Sequence, residues 1–206
     1  MKANNITQLI VDLRYNGGGY ISLAQELAEI IIPAEKTGEE FFTAIHNDNV
    51  SSNYDTTFYF SENELNLDLD RVFFITTSRS ASASELVINS LEPYMEVITI
   101  GSSTHGKPVG MYSFYFQDWL FAPVTIQLIN SDGYGDYFNG LPPDCIAEDG
   151  LDKSWGDETE SSLSQAFHYI SFGIFDNTLI ATTKSSEKVL RRTNDWNKQE
   201  LLLLDR

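Results

Sequence analysis

Two kinds of apolar pattern alternate along this chain. Short, mainly apolar runs rich in β-branched residues, Ile6–Leu13, Val72–Thr76 and Val97–Ile100, read as buried strands. Between and after them lie stretches with helical spacing: Ser22–Ile32, stopped by Pro33, Glu85–Leu91, ended near Pro93, and Ser161–Ile170. Residues 39–60 hold alternating and aromatic segments, FFTAI and TTFYF, around a polar loop and predict a hairpin-like excursion. Met111–Phe116, markedly aromatic, and Val124–Ile129 read as further strands. Strand, Gly-rich turn, helix, strand, small-residue turn, helix, strand is the order of an α/β fold with a largely parallel sheet. In such sheets chemistry collects at the turns leaving the carboxyl ends of strands.

Composition narrows what those turns can serve. The 206 residues, 42% apolar and 13% aromatic, suit one globular domain rather than a disordered chain. Thirteen Lys and Arg against 30 Asp and Glu give a net charge of −17. Such a charge repels a phosphate backbone and an anionic membrane surface, so nucleic acid is excluded as a partner. The longest apolar run is too short to span a bilayer, so no membrane insertion is expected. The opening MKANNITQLIVDL lacks the apolar stretch and cleavage site of a signal peptide. A chain that opens on a core strand is expected to be the rear portion of something longer. The single Cys145 forms no internal disulfide, and no Cys/His cluster has metal-ligand spacing.

Charge is uneven along the chain. Residues 1–183 hold 7 basic and 26 acidic residues, whereas the last 23 hold 6 basic and 4 acidic. The tail from Lys184 therefore reads as a separate segment, and the expected division is a core over 1–175 and an extension over 176–206.

Two turns carry candidate chemistry. Arg14-Tyr15-Asn16-Gly17-Gly18-Gly19 follows the first strand, and its glycines permit positive φ and close approach of the backbone to a ligand. It matches neither G-x-G-x-x-G nor G-x-x-x-x-G-K-[ST], and taken alone it reads more simply as a tight strand-to-helix connection. Ser78-Arg79-Ser80-Ala81-Ser82-Ala83-Ser84-Glu85 follows the second strand. Ser82 or Ser84 there can cap a helix, or one serine can act as a nucleophile with the next backbone amide facing an oxyanion. None of His46, His105 and His168 sits in a pattern pairing it with a serine and a carboxylate. Lys107 is the only Lys or Arg between Arg79 and Lys153. To serve as a base it must be neutral near pH 7, which requires burial against the field of a negative protein.

Three blocks in order carry a resemblance. Asp12 to Gly19, DLRYNGGG, is similar to D-L-R-x-N-x-G-G; Ser80 to Glu85 matches S-A-S-A-S-E; and Gly101 to Lys107, GSSTHGK, resembles G-x-x-T-[aromatic]-G-K. A weaker fourth, Gly140-Leu141-Pro142-Pro143-Asp144, is like G-[IL]-x-P-D. These are the motifs of the carboxyl-terminal processing, or tail-specific, proteases of the S41 family, and the chain resembles their protease core over roughly residues 6–170.

The resemblance implies an α/β fold with the ClpP/crotonase-like layered sheet-and-helix core. It implies a serine endopeptidase with Ser82 as nucleophile and Lys107 as general base. The oxyanion hole would come from the backbone amides of Gly17, Gly18 and Ala83, with no metal and no cofactor. The implied partner is a polypeptide with an accessible C-terminal tail, the implied location is the periplasm or cell envelope, and an upstream PDZ or N-terminal domain is implied for the full-length protein. Two positions depart from the pattern: Met111 stands where many members carry a glutamine that orients the lysine, and His105 replaces an aromatic residue. Met111 keeps open an alternative, a weak or inactive relative that binds a peptide or apolar ligand without cleaving it. A crotonase-like acyl-CoA enzyme is disfavoured, because such enzymes use paired carboxylates.

Overall fold

A computed structural model describes residues 6–150 and 152–177; most of the expected extension, from residue 178 on, lies outside the described residues. In chain order the elements are β1 (Ile10–Asp12), α1 (Ile21–Ile31), β2 (Glu40–Ile45), α2 (Ser51–Tyr54), β3 (Thr56–Tyr59), β4 (Arg71–Thr76), α3 (Ala83–Leu91), β5 (Glu96–Gly101), β6 (Val109–Met111), β7 (Phe114–Phe116), β8 (Trp119–Phe121), β9 (Val124–Ile129), β10 (Cys145–Ile146) and α4 (Ser161–Phe172).

Two four-stranded sheets frame the molecule. The first, ordered β1-β4-β5-β10, has only parallel pairs. Its central strand β4, RVFFIT, is buried at every position but the first, as a parallel strand covered on both faces must be. The side chains of β4 divide between two cores. Val72 and Phe74 join α1, α3, β2 and β9 in one, while Phe73 packs with Ile98, Ile100, Cys145 and Ala166 of α4 in the other. The second sheet, ordered β3-β2-β9-β6, is antiparallel and closes the far side of the first core. From one side to the other the layers are α4, the parallel sheet, the pair α1 and α3, and the antiparallel sheet. All nine residues of α3 are buried, which is why that helix lacks a polar face. Among the described residues no helix is long and apolar enough to cross a membrane.

The expected helices and the hairpin-like excursion form, with ends moved by a residue or two. Among the described residues only four of the ten strands form the expected parallel sheet, and the other six pair antiparallel. The single strand expected over Met111–Phe116 is two. β6 pairs with β9, its register shifts between Gly110 and Met111, and the Tyr112 N–H donates to Thr125 Oγ1 at 3.0 Å. The chain then leaves that sheet and folds back as a separate ribbon, β7 against β8. Aromatic content raises strand propensity but does not choose a strand's partner.

Leu86 on α3 is fully buried between the layers. Leu86→Ala is expected to lower unfolding stability by about 3 kcal/mol, read as a lower urea midpoint with unchanged slope.

Candidate active site

Because β1 and β4 are parallel neighbours, with Asp12 opposite Ile75, the turns leaving their carboxyl ends meet. The meeting is fastened by small polar groups. Ser80 Oγ donates to the Leu13 carbonyl at 2.8 Å and accepts from the Thr77 N–H at 3.0 Å. The Asn16 carbonyl accepts from the Ala81 N–H and from Ser84 Oγ, both at 3.1 Å. Ser80 and Ser84 are thus structural, and Ser82 is left between them.

Ser82 occupies the N-cap position of α3 with φ 61°, a left-handed value rare for a residue with a side chain. Its hydroxyl is buried without a hydrogen-bond partner. A strained backbone angle and an unbonded hydroxyl on one residue mark this turn as a candidate site. Gly18, at φ 106°, lies directly against it: a Cβ there would stand 2.7 Å from Ser82 Cβ and 2.9 Å from the Ala83 nitrogen. Only glycine fits. A Cβ at Gly17 would meet nothing within 4 Å, so the close approach to Ser82 and Ala83 requires glycine at position 18 and not at 17. As the first helical residue, Ala83 has no intrahelical acceptor for its N–H. The Gly18 N–H donates to Asn16 Oδ1 at 3.0 Å.

The lysine loop joins this turn through a residue that the sequence reading placed only at a helix start. Glu85 is fully buried. Its Oε2 accepts from the Ser82 N–H at 2.7 Å and the Lys107 N–H at 2.9 Å; its Oε1 accepts from Thr104 Oγ1 at 2.5 Å and the Gly106 N–H at 2.6 Å. The main-chain nitrogens of Ser82 and Lys107 therefore lie within two hydrogen-bond lengths of each other. The His105 N–H adds a bond to the Ser80 carbonyl at 2.9 Å. The available signal was the spacing Ser82-x-x-Glu85, a capping-box pattern, of which the glutamate's half is present.

Lys107 is half-buried, which meets in part the expectation that it is buried. Burial holds its amine below the ordinary lysine value, and the charge of Glu85 pulls it back up. Met111 is buried on β6, and its thioether side chain offers neither the N–H nor the C=O with which an amide would orient an amine. The histidines are engaged elsewhere: His46 between Asp55 and the Tyr112 hydroxyl, at 3.2 and 3.0 Å, and His168 on the Ile174 carbonyl at 2.8 Å, while His105 is exposed. Among the described residues no cluster of three or more His, Cys, Asp or Glu is placed to hold a metal.

Arg14 anchors the first turn from behind. Its guanidinium pairs with Asp12 at 2.8 Å, Glu160 at 2.9 Å and Asp149 at 3.5 Å, and the Tyr15 hydroxyl donates to Asp149. Glu160 is also the N-cap of α4, so the glycine turn is tied to the layer behind the parallel sheet.

Comparison with known proteins identifies the family and the fold. Residues 1–147 match the family profile of peptidase family S41. A "Probable CtpA-like serine protease" of Staphylococcus aureus (strain N315) is 25% identical over 146 residues, which is 70% of this chain and 28% of that protein. The crystal structure of a "Putative S41 protease" from Bacteroides fragilis NCTC 9343 superposes with a TM-score of 0.75 at 28% identity, covering 85% of this chain and 47% of the other. The photosystem II D1 C-terminal processing protease shares the fold, with a TM-score of 0.56 at 19% identity over 71% of this chain and 36% of its own. The chain thus spans less than a third of the length of the curated relative and about half of the Bacteroides chain. With its three main motif blocks gathered at the carboxyl ends of the parallel strands and residues 1–147 matched by the family profile, this chain belongs to peptidase family S41.

Proposed function

We propose that the chain is the protease core of a serine endopeptidase of the Ser–Lys type, acting on polypeptides with accessible C-terminal tails. The observation that carries this reading is the Glu85 carboxylate, which ties the strained Ser82 turn and the Lys107 loop to one buried point. In this reading neutral Lys107 takes the Ser82 proton as Oγ attacks the peptide carbonyl carbon. The oxyanion is received by the N–H groups of Gly18 and Ala83, with Gly18 exchanging Asn16 Oδ1 for the substrate oxygen. Collapse breaks the C–N bond, Lys107 returns the proton to the leaving amine, and water then hydrolyses the acyl-serine. The proposal includes what the motif resemblance implies, a periplasmic or cell-envelope location and an upstream PDZ or N-terminal domain in the whole protein; fractionation of cells expressing it checks the first.

A second reading rests on Met111. Without a glutamine to orient Lys107, the site could hold a peptide without cleaving it. Cleavage of an unfolded protein by the full chain separates the two: cleavage supports the peptidase, and binding without cleavage supports the holding module.

Ser82→Ala and Lys107→Ala are each expected to slow cleavage of an unfolded protein by about 10³-fold while leaving the thermal unfolding cooperative. Wild-type rates in Ser82→Ala would eliminate that serine as nucleophile. The pH profile of kcat/KM should climb as Lys107 loses its proton, with its limb below the ordinary lysine value of 10.5. Glu85 raises that value, so Glu85→Gln should move the limb to lower pH. Stability follows the same group. A lysine whose folded value is depressed is deprotonated in the native state before the unfolded one, so its contribution rises with pH between the folded value and 10.5. Lys107→Met should remove that rise in urea unfolding.

A further inference from the structure

The ribbon of β7 and β8 pairs with neither main sheet. A two-stranded ribbon is marginal by itself, yet all six of its strand residues, Phe114, Tyr115, Phe116, Trp119, Leu120 and Phe121, are large, apolar and exposed. The register sets Phe114 opposite Phe121 and Phe116 opposite Trp119, so four aromatic rings share one face. At its root Phe114 is also a wall of a cleft of about 850 Å³, formed with Ile45, Tyr54, Val109, Tyr112 and Phe138 among others. Val109 follows Lys107 by two residues, and the Phe138 carbonyl abuts Gly106 so closely that a Cβ there would stand 2.4 Å from it. An apolar track therefore begins beside the lysine loop and runs outward along the ribbon.

The charge along this track is unlike that of the rest of the molecule. No residue lining the cleft carries a carboxylate, ammonium or guanidinium group, and Asp118 at the turn is the ribbon's only charge, in a chain of net −17. Polar groups of the cleft already have partners: His46 bonds to Tyr112 across it and to Asp55 outside it, and Gln127 Nε2 donates to the Gly135 carbonyl at 3.0 Å. An exposed apolar surface of this kind marks a binding site. A second copy would bring −17 against −17, and an anionic bilayer would meet the same repulsion. In the peptidase reading a substrate chain at Ser82 lies beside the Lys107 loop, where the track starts.

We propose that the ribbon face and the cleft together hold an apolar, unfolded stretch of the polypeptide substrate and so select which segments reach Ser82. The proposal rests on the peptidase reading for the identity of the occupant. The test separates the two. Full chain carrying Ser82→Ala is titrated, by fluorescence anisotropy, with a labelled unfolded peptide containing a Leu/Phe/Val stretch, and with the same peptide carrying serines there. The apolar peptide should bind at least about tenfold tighter, and the doublet Phe116→Ser with Trp119→Ser should weaken it by about tenfold. In the chain with Ser82 intact, the doublet should raise KM by a similar factor with kcat within about twofold. The doublet Phe116→Tyr with Trp119→Phe should keep both properties, and thermal unfolding of each variant shows that it remains folded.

An unchanged dissociation constant in the serine doublet overturns the proposal. So does loss, in that doublet, of self-association in sedimentation or of binding to phosphatidylcholine vesicles while peptide binding persists. Track-dependent binding without any cleavage defeats the peptidase reading alone. Cleavage with an unaltered KM defeats the track alone.

Discussion

The site depends on one buried carboxylate. Removing a carboxylate from water is costly unless donors replace the lost hydration, and Glu85 is met by four of them. Each comes from the two segments that a Ser–Lys site must unite, the serine turn and the lysine loop. Thr104, one of the four, in turn accepts from the Leu141 N–H at 2.7 Å, which brings the Gly140–Asp144 block to the same knot. Segments distant in sequence are thus closed on a single side chain, and its charge also opposes the neutralisation of Lys107 that burial favours. The same group that joins the two segments therefore also acts on the Lys107 amine.

Strain at Ser82 is tolerable because everything around it is fixed. The helix that follows is buried on all sides, and the turn before it is bonded to the carbonyls of Leu13 and Asn16. Arg14 then ties that neighbouring turn to Glu160 at the start of α4, on the other side of the parallel sheet. An unfavourable backbone angle persists only where the surroundings over-determine it, and here three layers do so.

The two sheets differ in what they present. The parallel sheet ends in the turns that carry Ser82 and the glycine loop, while the antiparallel sheet carries the charge-free cleft and leads into the aromatic ribbon. Lys107, between β5 and β6, stands on the crossing from one sheet to the other.

Much of this was legible in the residues themselves. The unpatterned apolar run of β4, the proline stop after α1 and the glycine and serine turns follow from local physics: burial on two faces, a missing N–H, a backbone that must turn sharply. Ser82 and Lys107 were legible as candidates by residue type, by motif and by the scarcity of cations around Lys107. What tertiary structure alone decided is how these parts meet. Glu85 looks like any first-turn glutamate until the fold brings Thr104, Gly106 and Lys107 onto it. Gly18 is required, and Gly17 is not, only because Ser82 lies against one of them. The aromatic run after Met111 has the propensity of a single strand, and the register shift at Gly110 with the capture of the Tyr112 N–H divides it. Local sequence sets what a backbone prefers. Which groups must satisfy one another is settled only when long-range packing removes them from water.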